Sequence, residues 1–270
     1  MYVIKADGRK EEFKPKKIIH TCLRAGIKKE TAIEIAEIVK SQIKDGSTTN
    51  KIYQIILKEL KERKERYSFV YRLKEAISQL GPENFEKFTA KILDAHGYKC
   101  RSNRIVRGSL VEHEIDVIAQ REQTFPVECK FHRNPHRECG LSIILQVNSR
   151  VEDLMLGYRE GKNSYNFSKG WVFTNTKFSG HARRYATGKG IILTGWNYKG
   201  KNSLENLIHQ KKFFPITILN LRNNERNSLL SKGVVSIYDL LSRRENLTKY
   251  SGLNPKVLQR LINDAQKLVS

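Results

Sequence analysis

Two neighbouring stretches carry residue types whose spacing suits phosphodiester chemistry. His113-Glu114-Ile115-Asp116-Val117-Ile118-Ala119 is followed, after the short linker Arg121–Thr124, by Phe125-Pro126-Val127-Glu128-Cys129-Lys130-Phe131. Both read as strands. Side chains alternate along a strand, so Phe125, Val127, Cys129 and Phe131 share one face, and Glu128 and Lys130 share the other. On the first strand Ile115, Val117 and Ala119 sit together, which turns Asp116 the opposite way. A hairpin through the linker then sets Asp116 beside Glu128 and Lys130. Carboxylates are hard oxygen ligands for Mg²⁺, which keeps several of its waters. A metal held there lowers the pKa of a bound water and offsets charge building on a phosphate. Lys130 could orient that water, help deprotonate it or stabilise the transition state, and spacing does not choose among these roles. An E-x-K spacing is common on solvated strands. Here it lies in an otherwise apolar strand, where two exposed charges are unexpected, and an acid stands ready on the hairpin partner.

The surrounding elements fit an α/β domain over residues 81–215. Gly81-Pro82 opens a helix whose face carries Phe85, Phe88, Ile92 and Ala95, with Gly97 as its stop. Three strands follow: Lys99–Arg101, Glu114–Gln120 and Phe125–Phe131. A helix over about Leu141–Leu156 turns Ile144, Val147, Val151 and Leu154 inward. Gly170–Thr174 and Ile191–Thr194 read as buried parallel strands joined by a helix over Gly180–Ala186.

Residues 1–80 read as a small, mostly helical unit. Tyr2–Lys5 is a strand, Asp7-Gly8 a turn, and Glu12-Phe13 a return strand. Helices follow from Pro15 to about Ala25, from Lys29 to Lys44 with Ile33, Ala36, Val39 and Ile43 on one face, and from a Thr49 or Asn50 cap through Ile52, Ile55, Ile56 and Leu60. A last helix covers Tyr67–Leu80. Residues 224–270 form a short helical segment with apolar stripes through Leu229, Leu230, Val234, Ile237, Leu240 and Leu241, and through Gly252, Leu253, Val257, Leu258, Leu261, Ile262 and Ala265.

Bulk properties narrow the partners. Fifty Lys and Arg stand against 28 Asp and Glu, a net charge of +22. Such an excess attracts polyanions in a salt-dependent way and points to nucleic acid. The apolar runs fall short of the ~18–20 residues of a membrane span, and the first ten residues are polar, so a cytoplasmic protein without a membrane partner is expected. Cys22, Cys100, Cys129 and Cys139 form no CxxC pair. His132, His136 and Cys139 lack a fourth zinc ligand and the usual spacing.

The central stretch resembles the Mrr-type restriction endonucleases of the PD-(D/E)xK superfamily. The resemblance rests on Phe85-Glu86-Lys87-Phe88, Leu93, Gly97-Tyr98, Glu114–Ile118 and Val127–Lys130. It continues through Val172–Asn175, Phe178–Ala182 and Gly190–Leu193. It covers about half the chain, in order, and implies an αβββαβ core, dependence on Mg²⁺ or Mn²⁺, and DNA cleavage. By this likeness Asp116 and Glu128 hold metal, the Cys129 carbonyl adds a ligand, and Lys130 is the catalytic lysine. Glu86 on the first helix is the acid that relatives place near the metal. Gln146 on the helix after the catalytic strand matches a glutamine common in Mrr-like proteins. Many relatives carry Gly in a G-x-D setting, where this chain has Glu114.

The first segment resembles an ATP-cone, through Val3-x-Lys5-x-Asp7-Gly8-Arg9, Phe13, Lys17-Ile18, Thr49 and Tyr67–Arg72. That likeness implies ATP or dATP as effector, coupled to oligomer state and so to a homo-oligomer. Lys5 and Lys17 would approach phosphates, with Glu11 and Thr49 near the base or sugar. Ala6 and Tyr53 depart from the commoner Arg and His. There is no G-x-x-x-x-G-K-[ST] loop for P-loop hydrolysis. The last segment resembles paired helix-hairpin-helix elements. There Gly233 and Gly252 would let backbone amides approach DNA phosphates, assisted by Lys232, Lys249 and Lys256. The resulting expectation is a Mg²⁺-dependent DNA endonuclease modulated by adenine nucleotide. The alternative is a nucleotide-responsive DNA-binding regulator with a silent nuclease core.

Overall fold

Tyr2–Ile4 (β1) and Lys10–Glu12 (β2) pair antiparallel through a turn at Gly8, which takes the left-handed φ of 81° that a side chain resists. Ser47–Thr48 (β3) adds to β1 in parallel. Three helices complete this part: Pro15–Arg24 (α1), Lys29–Gln42 (α2) and Thr49–Arg63 (α3). The structure, a computed structural model, describes residues 1–5, 7–24, 27–63, 68, 71–198 and 203–269, without the side chains of residues 24, 248 and 249. The chain divides into two compact units, Met1–Leu73 and Lys74–Ser270.

Within the first unit, two sequence expectations shift by a residue. Ile33 is 42% exposed, and the buried stripe of α2 is Ala32, Ile35, Ala36 and Val39. Ala32, Ile35, Ala36 and Val39 keep i, i+3, i+4, i+7 spacing, and Ile33, one residue past Ala32, is turned about 100° away from Ala32. The side chain that caps α3 is Thr48, whose Oγ1 accepts the Lys51 N–H at 3.2 Å, rather than Thr49 or Asn50. β3 extends the chain up to Thr48 and so leaves it in the cap geometry. The expected helix over Tyr67–Leu80 falls partly outside the described residues, as do Ala6 and the Gly26 stop; its described portion is Leu73–Ser78 (α4).

The second unit is built on a five-stranded sheet. Pro82–Ala95 (α5) precedes an antiparallel meander of Lys99–Arg107 (β4), Glu112–Gln120 (β5) and Thr124–Lys130 (β6). Leu141–Arg159 (α6) then crosses over to Trp171–Thr174 (β8), parallel to β6. Gly180–Lys189 (α7) leads to Ile192–Thr194 (β10), parallel to β8. This is the expected αβββαβ order. Two short strands not foreseen, Glu138–Cys139 (β7) and Lys177–Phe178 (β9), pair with each other.

Alternation along β6 puts a helix on each side. Phe131 meets Phe85 of α5 at a ring separation of 5.8 Å, while Glu128 points to α6. Under α6 and α7 lies a core of Ile143, Ile144, Val147, Val151, Val172, Ala182, Ala186 and Leu193. Each fully buried phenylalanine, such as Phe85, Phe88 and Phe173, contributes roughly 2–3 kcal/mol of apolar burial.

β4 is longer than the expected Lys99–Arg101. Its residues from Arg101 to Ile105 are all exposed and show no apolar alternation, so only pairing with β5 makes them a strand.

The remaining helices, Leu204–Lys211 (α8), Asn223–Ser231 (α9), Ile237–Ser242 (α10), Arg244–Tyr250 (α11) and Pro255–Val269 (α12), join the same compact unit. Phe213 packs on Phe88 of α5 at 5.5 Å, Thr217 Oγ1 donates to the Ala76 carbonyl at 2.6 Å, and Asp239 pairs with Lys91 of α5. No described helix is long and apolar enough to cross a membrane.

Candidate active site

β5 and β6 stop pairing at Val117↔Val127, and the acids gather where the strands part. The Asp116 carboxylate accepts the Cys129 N–H at 2.7 Å, replacing the ladder bond that ends there. In an extended strand a residue's N–H and C=O project to the same side, so the Cys129 carbonyl also leaves toward Asp116. A kink helps to shape this point. Ladder pairs Ser102↔Val117 and Arg104↔Ile115 straddle Asn103, which takes φ 50° opposite Asp116. Across the kink, Ile115 joins Ile118 in one core with Val106, Leu154 and Phe167. Ile115 therefore does not share a face with Val117 as strict alternation predicts, because a residue at the irregularity shifts the phase of the strand.

Glu128 forms an ion pair with Arg150 of α6. Sequence reasoning singled out Gln146 on that helix and missed Arg150. Gln146 is exposed, while Arg150, one turn further on the same face, reaches the site. The i, i+4 spacing from Gln146 was the available signal. Lys130 is exposed at the end of β6, two residues past Glu128 and on its side of the strand by alternation. Among the described residues it pairs with neither acid.

The electrostatics are those of crowded carboxylates. Burial pushes Asp116 up to about 6, and Glu128 and Glu114 push the same way against the Cys129 N–H and Arg150. Burial pushes Glu86 up to about 7, reinforced by Asp116, Glu114, Glu83 and Glu128. Glu86 of α5 thus stands within the field of the same acids, as does Glu114. Among the described residues no set of three or more His, Cys, Asp or Glu side chains is arranged to hold a metal. A divalent ion here would lean on two carboxylates, a backbone carbonyl and water. Hard oxygen donors and mutual repulsion that a cation would relieve fit Mg²⁺ or Mn²⁺.

The structure places the other expected site residues as follows. At one end of the small sheet Glu11 bridges Lys5, at 2.5 Å, and Lys17. Thr49 follows the Ile4↔Thr48 pair as the first residue of α3. Gly233 and Gly252 both take left-handed φ, 71° and 68°. The first of these turns spends its amides internally. Gly233 N–H donates to Leu230 O and Val234 N–H to Leu229 O, while Val235 and Ser236 N–H donate to Asp239. The side chain of Lys232 beside this turn is exposed. Lys256 is exposed on α12. The side chain of Lys249 lies outside the described residues.

Comparisons with known proteins match three stretches of the chain. Residues 77–196 match the restriction endonuclease family model, residues 1–77 the ATP cone domain, and residues 214–269 the AF1548-like C-terminal domain. An uncharacterized protein of Archaeoglobus fulgidus is 36% identical over 181 residues, which is 67% of this chain and 99% of that one. The chain is an AF1548-like protein that carries an Mrr-type restriction-endonuclease domain and an ATP cone domain. A crystal structure of AF1548, a protein of unknown function, is 35% identical to this AF1548-like chain, with a TM-score of 0.59. It covers 70% of this chain and 98% of its own. A second uncharacterized protein of the same organism is 55% identical over 38 residues, 14% of this chain and 81% of that protein.

The raised acids of this Mrr-family site make a pH prediction. An acid whose folded pKa is raised favours the fold below its ordinary value and loses that contribution as pH rises through the folded value. The metal-free protein should therefore lose thermal stability between about pH 4 and 7 through Asp116 and Glu86. A divalent cation held by these acids would bind their ionised forms, so its affinity should climb through pH 6–7 with proton release. Calorimetric titrations at pH 5.5 and 7.5 in buffers of different ionisation enthalpy check this, and equal affinities would count against it.

Proposed function

We propose that this protein is a Mg²⁺- or Mn²⁺-dependent DNA endonuclease whose activity responds to ATP or dATP. The observation that carries the reading is the convergence of Asp116 and Glu128 where β5 and β6 part, with Glu86 and Glu114 in the same field. Asp116, Glu128 and the Cys129 carbonyl would hold the metal, which when bound supplies an activated water and offsets charge on the scissile phosphate. Asp116 is anchored by the Cys129 N–H, so its second oxygen is pre-aimed without loss of rotamer freedom on binding. Arg150 holds Glu128 in place and screens it from Asp116. Lys130, exposed beside them, is the cation available to the attacking water or the phosphate. The net charge of +22 favours a polyanionic substrate. The test is conversion of supercoiled plasmid to nicked or linear forms with Mg²⁺ and with EDTA, titrated with ATP and dATP. Shifted but uncut DNA under every condition would leave the silent-core regulator instead.

For the ATP-cone, the lysines that would meet phosphate are already engaged by Glu11. Loss of one charge-assisted contact costs about 1.5–3 kcal/mol, so Lys17→Ala should weaken ATP binding roughly ten- to a hundredfold in calorimetry. Binding as tight as in the unsubstituted protein would remove Lys17 from the nucleotide site.

A further inference from the structure

The turn joining β4 to β5, Gly108–Val111, displays large aliphatic side chains to solvent. Leu110 is 77% exposed, Val111 54%, and Ile105 on β4 72%. The turn is firmly held. Asp153 of α6 accepts the Leu110 N–H and bonds His113 Nε2, both at 2.8 Å. Ser109 N–H donates to the Asp153 carbonyl at 3.0 Å, and Lys162 Nζ donates to the Ser109 carbonyl at 2.8 Å. Gly157 of α6 lies so close beneath that a Cβ there would come within 2.6 Å of the Gly108 backbone. The apolar tip is thus fixed on a rigid pedestal.

β4 is the terminal strand of the sheet, and its Lys99, Arg101, Arg104 and Arg107 are all exposed, with no acid on that strand. On the β5 side Glu112 and Glu114 pair in register with Arg107 and Ile105, which leaves cations in excess. Basic side chains on an edge strand resist edge-to-edge association. That accounts for the cations, but not for Leu110 and Val111 beside them, since a bare apolar tip invites the association the arginines oppose. Duplex DNA, with anionic phosphates outside and an apolar base stack inside, suits both features.

We propose that Leu110 and Val111 form a wedge that enters the minor groove of duplex DNA and unstacks a base step, while the β4 cations hold the flanking phosphates. The proposal rests on DNA as the substrate. Val111 ends the turn and precedes Asp116 of β5 by five residues, at most about 17 Å at ~3.3 Å per residue, so the unstacked step would lie within about five base pairs of the phosphate at the acids.

The test uses the full chain with Asp116→Ala to prevent cutting, and short duplexes carrying 2-aminopurine at successive positions. Fluorescence should rise at one step with Leu110 and Val111 in place. It should stay quenched with Leu110→Ser/Val111→Ser, whose affinity should fall roughly tenfold. Arg101→Ala/Arg104→Ala should instead lower the salt slope of binding by about two. The proposal is overturned if the double serine variant binds and unstacks DNA normally. It is equally overturned if that variant loses an oligomeric state in sedimentation while its DNA affinity holds, which would make the tip a protein contact. With Asp116 intact, normal cleavage by the double serine variant would sink the wedge and spare the nuclease. Unstacking by a wild type that never cuts would spare the wedge and sink the nuclease.

Discussion

Asp116→Ala should lower Mg²⁺-dependent cleavage by roughly a thousandfold or more while leaving DNA binding in place. The carboxylate is anchored by the Cys129 N–H and lies in the field of Glu128, so the variant loses both an oriented oxygen ligand and its charge. Removing it also relieves repulsion on Glu86 and Glu128, so metal-free stability near neutral pH should rise. That pairing of lost activity with gained stability sets a functional acid apart from a structural one, whose removal would weaken both. Melting curves in EDTA, run beside the plasmid assay, read the two effects together. A variant that is less stable than wild type at pH 7.5 yet still cuts would remove Asp116 from the metal site.

Arg150→Met should act in the opposite direction on the metal-free protein. The Glu128 side chain is 17% exposed and that of Arg150 27%, so the pair is largely shielded from water. Breaking it from the cationic side leaves Glu128 facing Asp116, at a cost of about 1–3 kcal/mol for a partly shielded pair. Methionine keeps most of the aliphatic stem, so packing along α6 is little disturbed. A divalent ion would then supply the missing positive charge. The rise in melting temperature on adding Mg²⁺ should accordingly be larger in Arg150→Met than in wild type. Should the variant melt like wild type in EDTA, or gain no more from Mg²⁺, Arg150 would have no part in balancing the acids.

Much of this molecule was legible along the chain because it depends on short-range periodicity. The two-residue repeat of β6 separated Glu128 from Phe125, Val127 and Phe131, and the helical stripe of α6 buried Ile144, Val147, Val151 and Leu154 as expected. The turns at Gly8, Gly233 and Gly252 needed only local backbone freedom, and all three take positive φ. Other features required residues far apart in sequence to meet. Arg150 reaches Glu128 across 22 positions, and its i, i+4 spacing from Gln146 marks a shared helix face but not the strand residue that it meets. β4 beyond Arg101 has no apolar pattern, and only the β5 ladder makes it a strand. The phase shift between Ile115 and Ile118 arises from Asn103 on the neighbouring strand, opposite Asp116. Local order thus set which side chains could share a face. The three-dimensional arrangement decided which of them meet, because charge pairing, ladder register and burial are properties of two segments at once.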